Sequence, residues 1–149
     1  MKWVTGRRPR IDGVACPWLI WRFIEPAAEI LYVPADRVLA VARDTPGGGL
    51  SFDAPGARYD HLGGCCPFEV LVNEFDLAGD RALGRLARIV HAAGSGDNVG
   101  SDPAGVGLLA IGVGGLEVEE DDYRLVKRTG FVFDALYAWC TRQAAAVPA

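Results

Sequence analysis

His61 and Cys66 stand five residues apart across a Leu62-Gly63-Gly64 turn, so an imidazole and a thiol can face one space. His91 is the chain's other histidine. Imidazole, thiolate and carboxylate are the usual ligands of zinc, iron and copper accept similar sets, and a catalytic site uses three of them plus a water. The candidate ligands are therefore His61, Cys66 and His91, with Asp12, Cys16 or Asp97 available to complete the set. The same residues allow a thiol-based chemistry, redox or hydrolytic. Cys66 precedes Pro67 and so reads as a helix cap, where the helix dipole favours thiolate. His61 would be its base and Asp12 would orient the imidazole. The sequence around Cys66 matches no cysteine-hydrolase pattern. A third reading is non-catalytic, with these polar residues stabilising buried turns of a structural or interaction domain.

The elements that must position these groups centre on Ile11–Ile24, the densest apolar run, which also carries Asp12, Cys16 and Arg22. Pro17 suits a first helical position, making Cys16 the cap and Trp18–Ile24 the body. A helix starting at Asp12, a better cap, is the alternative. With either start Cys16 is expected near the positive helix end. A plain packing role is the competing reading for Cys16. Lys2–Thr5 and Glu29–Val33 flank this helix as strands, a pattern that predicts a parallel crossover.

Ala35–Arg43 predicts a short helix with Val38, Leu39 and Ala42 inward. Leu50–Asp53 and Ala57–His61 predict a third and a fourth strand. Cys66-Pro67 with Glu69 three residues on is a capping-box start for a helix to about Phe75. Asp80 caps the clearest amphipathic helix, with Leu83, Leu86, Ile89, Val90 and Ala93 on one stripe and Arg81, Arg85 and Arg88 on a solvated one. Ala104–Val113 is apolar all round and predicts a central buried helix. The acidic run from Glu117 to Asp122 reads as solvated and leads into a short helix to Arg128. A final helix over 131–146 carries Cys140 in its core face. Together these predict a single α+β domain over 1–149, mostly helical with a small mixed sheet.

Half of the 149 residues are apolar, 23% are charged and the net charge is −4. That balance gives no electrostatic footprint for direct nucleic-acid binding. The short Arg7-Arg8-Pro9-Arg10 cluster reads as a solvated entry to the first helix. No apolar run reaches membrane-span length, and the N-terminus lacks a signal-peptide core. A cytoplasmic chain with four reduced cysteines is the expectation.

The run Arg8-Pro9-x-Ile11-Asp12-x-x-Ala15-Cys16-Pro17-Trp18-Leu19-Ile20-x-Arg22-Phe23-Ile24 resembles the opening of the chromate-resistance family, the C-terminal-type domain of ChrB proteins. The likeness continues through Leu31-Tyr32-Val33-Pro34, Phe52-Asp53-x-Pro55-Gly56, His61-x-Gly63-x-x-Cys66-x-Phe68, Ile89-Val90-His91, Gly107–Ile111 and Asp134–Cys140. The resemblance implies a stand-alone domain of this type, without the N-terminal regulatory region of longer members. It puts His61, Cys66, His91, Asp12 and Arg22 on motif positions. On this reading the domain binds a transition metal, zinc or iron, or a small oxyanion, for sensing or detoxification. Asp12, Cys16 and Arg22 would support the metal or hold the oxyanion, for which Arg22 offers a fork of donors. A homodimer is the candidate assembly. Ala92-Ala93-Gly94 stands where the family pattern has an acidic residue, which leaves Asp97 as its substitute.

Overall fold

The computed structural model describes residues 1–146. Three parallel strands, β1 (Lys2–Gly6), β2 (Glu29–Val33) and β3 (Leu50–Ser51), form a sheet in the order β2-β1-β3. The sheet is wholly parallel rather than mixed, and the fourth strand does not form. The 57–61 segment contributes one bridge, Phe52 to Tyr59. Strand alternation splits the core in two. Trp3, Ile30 and Tyr32 face the main core, while Val4 joins Val38, Ala42 and Ala54 in a smaller one. That smaller core lies under α2 (Val38–Asp44), where Leu39 turns outward instead of inward.

The helical layer on the main-core face is α1 (Asp12–Leu19), α3 (Pro67–Glu74), α4 (Arg81–Gly94), α5 (Pro103–Val118) and α6 (Asp122–Ala146). Helix α1 starts at Asp12, not at Trp18, and continues into a π-helical turn over Ile20–Ile24. Pro17 therefore sits inside it, where its missing N–H leaves the Gly13 carbonyl without a helical donor. The Tyr32 hydroxyl fills that role, donating to Gly13 O at 2.8 Å. The early start also takes Cys16 away from the helix end. It is fully buried and packs as a core residue.

Trp18 packs edge-on and tilted among Phe23, Phe133 and Tyr137, joining α1 to α6. Helix α6 is continuous from Asp122, where the sequence predicted two helices. Gly130 has open space around it and does not break the turn. Helix α5 is not central. Only Gly105 and Leu108 are buried, and Val106, Ile111, Val113 and Val118 are exposed. A methyl group at Gly105 would meet the Ala92 side chain at 2.8 Å, and one at Gly112 would meet the Arg10 carbonyl at 2.5 Å. Arg8, expected in solvent, instead binds the carbonyls of Leu116, Glu119 and Glu120 and the Asp122 carboxylate. It closes the end of α5 against the start of α6. No helix is long and apolar enough to cross a membrane among the described residues.

Candidate functional site

Asp12 is the first residue of α1 and is only 6% exposed. Its Oδ1 accepts the backbone N–H of Phe68 at 3.0 Å, so a side chain of α1 caps the start of α3. This bond fixes Cys66, the cap residue of α3, beside Asp12. Glu69 Oε1 reaches back to the Cys66 N–H at 3.0 Å, the acid half of the capping box. The same oxygen takes the Nδ1 proton of His91 from the last turn of α4, at 2.5 Å. Cys66 Sγ, a Glu69 oxygen and a His91 ring nitrogen thus lie within 4.8 Å of one another, on two packed helices.

Asp53, Asp60 and His61 make a second group of the same dimension, on the 52–61 segment. His61 Nδ1 is 3.1 Å from Asp60 Oδ1 and the ring is exposed. Asp53 has a φ of 48°, left-handed for a non-glycine residue, a conformation that costs on the order of 1–3 kcal/mol. A side chain at Gly13 would need the space of Pro9, and the Asp53 carboxylate lies 3.8 Å from that position.

The electrostatics of the two groups are linked. Burial pushes the Asp12 carboxyl up to about 6. The Phe68 amide, His61 and the Cys66 thiol pull it down, and Glu69 opposes them. Burial also pushes Asp53 up to about 7, with Asp12 and Asp60 adding to the rise. Burial raises Glu69 too, but the Cys66 amide and the His91 imidazole outweigh it and hold it below its ordinary range. The Cys66 thiol is driven up by burial and by Asp12. Its place at a helix cap does not make it a thiolate, because the loss of water and the neighbouring carboxylates outweigh the dipole. Cys16 is raised by burial and by Asp12 and Asp53.

Residues 3–140 match the family model of the ChrB C-terminal domain. This chain belongs to that family. Protein ChrB of Cupriavidus metallidurans is 36% identical over 138 residues, which cover 91% of this chain and 40% of that relative. The ChrB-type domain thus spans about two-fifths of the length of the relative it matches. No solved structure matches the chain.

Within this ChrB-type domain the three ligands chosen from the sequence divide. Cys66 and His91 come together, whereas His61 belongs to the neighbouring Asp53–Asp60 group. Arg22 stands apart from both. Its guanidinium donates to Asp134 at 2.8 Å and lies over the Tyr137 ring, so it ties α1 to α6. Asp97 falls in the 3₁₀ segment Gly96–Ser101 and is in neither group. The carboxylate beside Cys66 and His91 is that of Glu69, which sequence reasoning read only as a cap. Its signal was present, because Cys66 and Glu69 at i and i+3 begin the same helix face. Asp53 was also missed as a site residue, although it stands on a motif position. A cleft of about 440 Å³ borders the first group, lined by Glu69, Arg85, Arg88, His91, Ser101 and Asp102. Two arginines read as solvated therefore flank the site. Arg85 is paired with Asp102, and Arg88 has no carboxylate partner among the described residues.

Proposed function

We propose that this ChrB-type domain binds a divalent transition-metal ion through Cys66, Glu69 and His91 and acts in chromate resistance. The convergence of those three donors on the faces of α3 and α4 is the observation that carries the reading. Thiolate, carboxylate and imidazole form a borderline-soft set suited to zinc or ferrous iron. A cation here would take the place of the proton between Glu69 and His91, and would draw the proton from Cys66. Asp12 supports the site from beneath, because its bond to Phe68 holds the start of α3. Family membership supports the chromate-resistance role. The adjoining cleft, with Arg85 and Arg88 on its wall, suits a small oxyanion. The domain would then sense or detoxify an oxyanion beside a bound metal. Against the thiol-based alternative, burial and Asp12 push the Cys66 thiol up and His61 is engaged with Asp60.

Elemental analysis of the untagged chain, purified without chelator, tests the reading. Bound zinc or iron that disappears in Cys66→Ala and His91→Ala, with folding retained, is the expected result. Metal-free protein that refuses added zinc overturns it.

A further inference from the structure

We infer that the domain holds two divalent cations, the second on Asp53, Asp60 and His61. The inference rests on the metal reading of Cys66, Glu69 and His91 and extends it. Each group brings three donor atoms within 4.8 Å of one another, and each contains one imidazole. The first adds a thiol and one carboxylate, the second two carboxylates. The Asp12 charge is felt in both groups, raising the Cys66 thiol in the first and the Asp53 carboxyl in the second.

Two observations point to cations. No hydrogen bond to the Asp53 carboxylate is made among the described residues, and its backbone is held in a left-handed conformation that costs stability. Finally, four carboxylates (Asp12, Asp53, Asp60 and Glu69) gather with no lysine or arginine paired to any of them. Histidines are the sole basic partners there among the described residues. Buried or half-buried like charges at this density call for compensation, and divalent ions supply it. The donor sets also differ in kind. The thiol-bearing group favours a softer ion, and the carboxylate-rich group accepts zinc, manganese or ferrous iron.

Stepwise titration of the metal-free full chain with cobalt(II), followed by zinc(II) stoichiometry after gel filtration, separates the possibilities. Two equivalents are expected, one giving sulfur-to-cobalt charge-transfer absorption and one adding ligand-field intensity without it. Asp53→Asn and His61→Ala should each lower the stoichiometry to one and keep the sulfur band. Cys66→Ala should lose the band and keep one equivalent. Circular dichroism and thermal melts on each variant verify folding. A single equivalent untouched by Asp53→Asn and His61→Ala overturns this inference and leaves the first site standing. Two equivalents that survive both substitutions also overturn it. No bound metal at all overturns both readings.

Discussion

Helix α1 carries polar groups at both of its ends, and the two ends treat them oppositely. At the C-terminal end, Arg22 meets Asp134, the Trp18 indole N–H donates to the same carboxylate, and three aromatic rings surround the guanidinium. Every charge there has a partner of opposite sign. At the N-terminal end, Asp12 is packed near Asp53, Glu69 and two thiols, and its burial outweighs the help it receives from the Phe68 amide, His61 and the Cys66 thiol. The first junction is what a chain builds to hold two helices together. The second costs stability and is tolerated, which is the behaviour of a site.

The comparison is broken most severely by removing the aromatic wedge. Trp18→Ala is expected to cost about 3–5 kcal/mol in urea unfolding, as for other buried large-to-small changes. A cost under about 1 kcal/mol would show that the α1–α6 junction is not what secures the helix. At the other end the sign reverses. Asp12 and Asp53 have folded-state pKa values near 6 and 7, above the ordinary 3.8. The folded chain therefore holds protons that the unfolded chain has lost, and metal-free stability should fall as pH rises from about 4 to 7. Asp53→Asn should flatten that decline and stabilise the metal-free protein at pH 7 by roughly 2–4 kcal/mol. Thermal melts at pH 4 and pH 7 read this directly, and destabilisation at pH 7 would refute the burial of an uncompensated carboxylate.

Between the two ends lies the Pro17 gap. Tyr32→Phe should cost about 1–2 kcal/mol, because it strips the Gly13 carbonyl of its donor. In a Pro17→Ala background, where an amide N–H is restored, the same change should cost less. Equal costs in both backgrounds, measured by chemical denaturation, would mean the hydroxyl does not compensate for the proline. The smallest effect belongs to the exposed ion pair. Arg22→Lys keeps the charge but loses the planar stacking, and should cost about 0.5–1 kcal/mol with metal content unchanged. Loss of metal in that variant would return Arg22 to the site.

Much of this contrast was legible beforehand. The β1–α1–β2 crossover, the Cys66-Pro67 cap with Glu69, the Asp80 cap and the buried stripe of α4 all follow from local chemistry and periodicity. Cys66 and His91 were grouped by residue type alone, and the fold sets them side by side. What was hidden depends on distant partners. Pro17 argued for a late start to α1 until Tyr32, from another strand, supplied the missing donor. Apolar composition argued for a buried α5, but the helix attaches through glycines that periodicity does not register. His61 looked close to Cys66 along the chain, yet the Gly63-Gly64 turn, with φ values of 57° and 83°, leaves it with Asp60. Glu69 had one visible duty, and its second needed α4 to be packed alongside.

Helix α5 has a consequence for how the sequence can drift. Gly105 and Gly112 are seven residues apart, hence on one face, and both press against backbone. A substitution scan of this helix should invert the usual rule for apolar segments. Alanine at Gly112 should be among the least tolerated changes in the chain, while polar residues at exposed Val106 and Val113 should pass with little effect on folding.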